Sequence, residues 1–227
     1  SQGEYELTSP DEPEPVFRAP DPGDFLLLFN RILIDTFFSL LPRSTVLIHG
    51  AVFEVDGLLL VFPGRGGAGK TTLSEELLHR SDWSYLSDEL FVVDSEGQRV
   101  YPFPRPLNFD SEPRRNLLRT LRVEDSGGCT FTYGVPPPAR SVKDSRVFDE
   151  LRVFELEREQ GVEPQVRPQS MGVGLQRLFS YSAKPNDPAK RFEAITGLRS
   201  FSPGFYRLEY EDCQDLDLDE LVSTDDG

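Results

Sequence analysis

Lysine is scarce in this chain, with 4 residues against 20 Arg and 39 Asp and Glu. The formal net charge is −15. A surface of that sign repels a phosphate backbone, so nucleic acid is excluded as the expected partner. Cysteine is nearly absent. Cys129 and Cys213 lie far apart and match no metal-ligand spacing. They read as ordinary thiols of a reducing cytoplasm. A long uninterrupted apolar run is also missing. Residues 25–41 come nearest, but Asn30, Arg31 and Asp35 interrupt them. That stretch reads as a packing helix before a membrane span. No signal peptide opens the chain as given, and no internal repeat is found. The expectation is therefore a cytoplasmic protein with neither nucleic acid nor membrane as partner.

What is present suits one domain. The chain has 227 residues, 37% of them hydrophobic, with 17 Phe to build a core. One stretch organises the rest: Gly64, Arg65, Gly66, Gly67, Ala68, Gly69, Lys70, Thr71 and Thr72. It fits G-x-x-x-x-G-K-[ST] in full. A short apolar run at 57–62 precedes it, and Leu73, Leu77 and Leu78 follow at helical spacing. A phosphate-binding loop must sit between a strand and a helix in this way. Glycines let backbone N–H groups close around phosphates, and the new helix aims its positive end at them. Lys70 can reach the β- and γ-phosphates of ATP, and Thr71 can offer its hydroxyl to Mg²⁺.

Residues 1–23, rich in Pro, Asp and Glu, read as an extended lead-in with a short strand near 5–7. A helix is expected over 24–40, capped by Asp24 and ended by Pro42. Residues 45–55 read as a strand with a break near His49-Gly50, and Asp56-Gly57 is a hairpin signal. In 83–94 two apolar runs flank Asp88-Glu89. A turn at 95–98, a short strand from 100 and a rigid Pro-rich segment at 104–109 follow. Residues 111–122 look helical and carry Arg114, Arg115, Arg119 and Arg122. Residues 124–143 suit either a mobile loop or a small hairpin. Strands are expected at 151–157 and 205–210, and helices at 169–182, 188–200 and 216–222. The acidic tail 223–227 is expected to fray.

A phosphate loop alone implies only a nucleoside triphosphate. Asp88, 18 residues after Lys70, adds chemistry. An acid at the end of an apolar strand beside such a loop is where Mg²⁺ is held. Two adjacent acids converge only if the strand ends or bulges there. One could then orient Mg²⁺ while the other takes the proton of an attacking hydroxyl. His49, 21 residues before Lys70, is a third candidate. His79 is read as structural. Arg65, within the loop, could face nucleotide or solvent. Arg105, stiffened between Pro104 and Pro106, could meet a phosphate or a substrate carboxylate. Either could equally be a surface arginine pairing with the protein's own carboxylates.

His49-Gly50-Ala51-Val52, the hairpin, Gly64 to Thr71 and Ser87-Asp88-Glu89 together resemble the catalytic domain of HPr kinase/phosphorylase. That family shares its nucleotide site with the phosphoenolpyruvate carboxykinases. The resemblance is firm over 49–93, weaker over 100–109, and general in layout beyond. It implies an α/β fold: a single phosphate-loop domain over 24–222, with a mixed sheet and flanking helices. It also implies an ATP- and Mg²⁺-dependent kinase acting on a serine-type hydroxyl of a protein, peptide or small molecule. On that resemblance Asp88 is the catalytic base, Lys70 and the loop hold the phosphates, Thr71 and Glu89 hold Mg²⁺, and His49 lies near the transferred phosphate. Relatives often form oligomers, so a homo-oligomer is implied. The chain departs from the pattern at Glu89, where relatives carry Asp. Residues 1–41 are too short for the separate N-terminal domain of bifunctional members and their C-terminal signature is not found, so the expectation is a small relative with another substrate. A nucleotide-binding regulatory module with little turnover is the alternative. A GTPase is disfavoured because Asn-Lys-x-Asp is missing, and a carboxykinase because it needs a longer chain.

Overall fold

Residues 58–63 are buried at every position. A strand with two apolar faces needs a covering layer on each side. The computed structural model describes residues 5–7, 14–15, 17–96, 98–109, 118–124, 128, 130–148 and 150–223. The strands are β1 (Tyr5–Leu7), β2 (Phe17–Ala19), β3 (Thr45–Val55), β4 (Leu58–Pro63), β5 (Ser84–Ser87), β6 (Leu90–Asp94), β7 (Arg99–Val100) and β8 (Leu107–Phe109). They continue with β9 (Arg119–Glu124), β10 (Thr130–Val135), β11 (Arg146–Val147), β12 (Glu150–Arg158), β13 (Gln165–Pro168), β14 (Ser182–Lys184) and β15 (Gly204–Tyr210). The helices are α1 (Pro22–Ser39), α2 (Lys70–Arg80), α3 (Met171–Tyr181), α4 (Pro188–Gly197) and α5 (Leu218–Ser223).

The fold is α/β, a large mixed sheet with flanking helices. Its order is β11-β7-β6-β3-β4-β12-β15-β13, and β5 and β14 also pair with β3. β12 runs parallel to both β4 and β15, whereas β3 and β4 are antiparallel. Alternation divides the apolar residues between two cores. Leu58, Leu60 and Phe62 pack under α2, while Leu59 and Val61 face the opposite side with α3 and α4. Under α2 an aromatic row crosses the sheet. Ring centroids lie 5.6 Å apart for Phe53–Tyr85, 5.5 Å for Phe62–Phe154 and 5.1 Å for Phe154–Tyr206. Separate from the main sheet, β8, β10 and β9 form a three-stranded sheet.

Strand β3 is continuous through His49-Gly50, so the expected break is absent. What changes there is the partner. Residues 45–49 pair with β6 and residues 50–55 with β4. The Asp56-Gly57 turn joins β3 to β4 with both residues at positive φ, the geometry of a two-residue hairpin. Helix α1 begins two residues before the expected start. Asp21, not Asp24, is its cap, and its carboxylate accepts from Gly23 N at 2.8 Å and Asp24 N at 2.9 Å. Pro22 at the first helical position explains the shift, because its fixed φ suits that site. Ile34, Phe37 and Phe38 of α1 pack on Leu47, Leu90 and Val92. No helix among the described residues is long and apolar enough to cross a membrane.

Residues 119–122 belong to strand β9, not to the expected helix, because six consecutive pairs with β10 outweigh local preference. Of the two readings for 124–143, the hairpin β9–β10 is the one found. Residues 110–117, including Arg114 and Arg115, and Cys129 lie outside the described residues, as do most of the lead-in and the last four residues.

Phe154 lies at the middle of the aromatic row and is fully buried. Phe154→Ala should lower the unfolding free energy by about 3–5 kcal/mol. A urea titration reads this as a lower midpoint with an unchanged slope.

Candidate functional site

Residues 64–69 leave the C-terminal end of β4 and turn into α2. The N-cap Gly69 has φ +92° and offers no side-chain cap. A Cβ there would sit 2.7 Å from the hydroxyl of Tyr210. That hydroxyl donates to Ala68 O at 3.0 Å and holds the loop from the end of β15. The first amides of α2 lack helical partners, and the helix presents its positive end at the loop mouth. Lys70 folds back over the loop. Its Nζ donates to Gly64 O and Arg65 O, each at 2.9 Å, and is largely shielded from water.

Strand β5 ends at Ser87, whose Oγ accepts from Glu89 N at 3.3 Å and Leu90 N at 3.0 Å. This kink frees the acidic pair from the alternation of a regular strand. Asp88 turns into the protein. Thr71 Oγ1 donates to its Oδ2 at 2.8 Å and Ser74 Oγ to its Oδ1. Glu89 stays half exposed and pairs with the Arg105 guanidinium. The carbonyl of Glu89 accepts from Gly50 N at 3.1 Å and lies 3.0 Å from His49 Nδ1. A carbonyl only accepts, so Nδ1 carries the proton and Nε2 of the neutral ring is bare. The partner switch in β3 thus places His49 beside the acidic pair.

Burial shapes the electrostatics. It pushes the Asp88 carboxyl up to about 6, against the Ser74 and Thr71 hydroxyls and Lys70, which favour the charged form; Glu89 adds to the rise. Burial also lowers Lys70, opposed by Asp88 and Glu89. His49 is lowered by burial and by Lys70, which keeps the imidazole neutral.

These groups line one cleft of about 730 Å³. Its walls include Arg31 and Asp35 of α1, Asn108 and Phe109 of β8, and Tyr133 of β10. Four lining cations, Arg31, Lys70, Arg105 and Arg158, face three carboxylates, Asp35, Asp88 and Glu89. Local positive excess in a chain of net charge −15 suits an anionic ligand.

Of the residues singled out by sequence, His49, Gly66, Gly67, Gly69, Lys70, Thr71, Thr72, Asp88, Glu89 and Arg105 meet in this cleft. Arg65 does not. Its exposed side chain borders a second hollow, beside Glu155, Arg177 and Tyr181. Gly64 and Ala68 contribute carbonyls to the loop's own bonds. Sequence reasoning passed over Ser74, one helical turn beyond Thr71 and so on the same face. It also passed over Tyr210, Tyr133 and Arg158, for which no local signal exists.

Thr71, Asp88 and Glu89 are the oxygen donors that could hold a cation. Among the described residues no cluster of three His, Cys, Asp or Glu forms a metal cage. That donor set fits Mg²⁺, which takes one or two carboxylates and leaves its other positions to substrate phosphates and water.

The raised Asp88 carboxyl has a consequence for stability. Between pH about 4 and about 6 the native state keeps a proton that the unfolded chain has released. Stability should therefore fall as pH rises through that window. Asp88→Asn should remove this component, so denaturation curves of the two proteins should diverge from pH 4 to 6 and run parallel above it. No protein-family model and no curated protein matches this chain.

Proposed function

We propose that the protein is an ATP-dependent phosphotransferase that moves the γ-phosphate to a serine-type hydroxyl, built on a phosphate-loop domain of the HPr kinase type. One observation carries the reading. Asp88 is bonded to Thr71 and Ser74 of the helix that follows the loop, with Lys70 folded into the loop beside it. A nucleotide-binding loop and a buried acid at the end of a neighbouring strand are the two parts that phosphoryl transfer needs.

The chain's own groups divide the work. Lys70 and the first amides of α2 bind and neutralise the β- and γ-phosphates. Thr71 and Glu89, with Asp88, would hold Mg²⁺, which when bound would supply further neutralisation of the phosphate oxygens. Asp88 accepts one hydroxyl at each oxygen, and each oxygen keeps a second lone pair. A carboxyl poised near 6 can take the proton of an attacking hydroxyl at neutral pH. His49 lines the same end of the cleft and would assist there by orienting the acceptor group, while Asp88 alone takes the hydroxyl proton. Positioning and charge neutralisation supply most of the acceleration in such reactions.

The test uses γ-labelled ATP, Mg²⁺ and an extract of the source cells. Wild type should label a protein band or a small molecule, and mass measurement then identifies the acceptor. Asp88→Asn should lower transfer by about 10²-fold or more, the scale of general-base catalysis. ATP binding without transfer by wild type would instead favour a regulatory module.

A further inference from the structure

The cleft has two distinguishable ends. His49, Asp88, Glu89 and Arg105 line the end where the acids meet Lys70 and Thr71. Arg158 lines the cleft as well, and it alone of the lining cations also borders two further hollows against the loop. One is a narrow space shared with Gly69, Thr72, Tyr210, Glu211 and Asp212. The second lies against Gly66, Gly67 and Ala68. Neither is lined by Asp88 or Glu89.

Arg158 is the last residue of β12, the parallel neighbour of the loop-bearing β4. It therefore stands at the carboxyl edge of the sheet, where open α/β sheets hold their ligands. Its guanidinium is aimed but not consumed. Nε donates to Glu211 O at 3.0 Å. Among the described residues its other two nitrogens make no hydrogen bond or ion pair. One edge of the planar group is fixed while the rest is exposed.

We propose that Arg158 forms the nucleoside side of the site, with its guanidinium plane stacked on the base. This rests on the phosphotransfer reading. A triphosphate chain whose transferred end lies at Asp88 must run back past Lys70 toward Gly69 and Thr72. Its nucleoside then emerges beside Arg158. The neighbouring Glu211 and Asp212 carboxylates disfavour a further phosphate there and can accept ribose hydroxyls. Arginine suits the task because its delocalised plane stacks on π-systems, which an ammonium cannot do.

Calorimetric titration of the full chain with ATP and with inorganic tripolyphosphate, each with Mg²⁺, separates the two ends. Arg158→Met should weaken ATP by about tenfold, the scale of one base-stacking contact. Tripolyphosphate binding should stay within about twofold, which also reports that the loop remains folded. Arg158→Lys keeps the charge but not the plane and should resemble Arg158→Met. An equal loss for both ligands, or ATP affinity kept by Arg158→Lys, would make the residue a phosphate contact and overturn the proposal. Unchanged ATP affinity in both variants would overturn it too. Failure of wild type to bind either ligand would instead sink the phosphotransfer reading beneath it.

Discussion

The bond between Asp88 and the hydroxyls of Thr71 and Ser74 is the contact on which the site depends. It joins the kink between β5 and β6 to the first turns of α2. Without it, the loop and the acidic pair would be adjacent only through backbone pairing. A buried carboxylate is costly unless hydrogen-bonded, and here each oxygen has a donor on the helix. The same contact fixes the rotation of α2, since Thr71 and Ser74 are one turn apart. Leu73 and Leu77 then fall on the aromatic row beneath. The helix is thus set by packing below and by a polar bond at its start.

The chain's overall charge and the charge of its cleft have opposite tendencies, and this shapes any ligand. The surface repels anions at long range, which slows rather than assists their approach. Inside the cleft, desolvation lowers Lys70 and raises Asp88, so both charged forms are less stable than in water. A polyanion that enters supplies partners for Lys70, Arg31 and Arg105 at once.

The loop and its flanking elements were legible because their signal is local: glycines at fixed offsets, an apolar run before and a helical period after. The acidic pair was legible as a strand ending. Its division of roles was not, because the kink depends on Ser87 Oγ reaching two amides ahead. Asp21 was missed as the cap because the Pro-Gly that follows it read as a turn. Residues 119–122 were misread because strand pairing with β10 is a tertiary fact, and arginines three or four apart look helical in isolation. Short strands such as β8 and β14 exist only because a neighbour pairs with them. Arg158 and Tyr210 reach the loop from strands far along the chain, a placement that topology makes and sequence spacing does not.

Glutamate at position 89 has a physical consequence. Its carboxylate pairs with the Arg105 guanidinium, a group whose own backbone is fixed by the Tyr85 hydroxyl donating to Arg105 O at 2.8 Å. The Arg105 anchor is therefore rigid, while Glu89 is half exposed and on a longer stem than aspartate. An ion pair this open is worth at most about 1 kcal/mol. Asp88 is the opposite case: buried, doubly bonded and costly to disturb. The pair at 88–89 thus combines a fixed acid with an exchangeable one. A ligand that competes for Glu89 loses little to the broken ion pair, and it releases a guanidinium into the same cleft. On the proposed reading, binding at the metal position and freeing of a cation for a second anion are coupled through one weak contact.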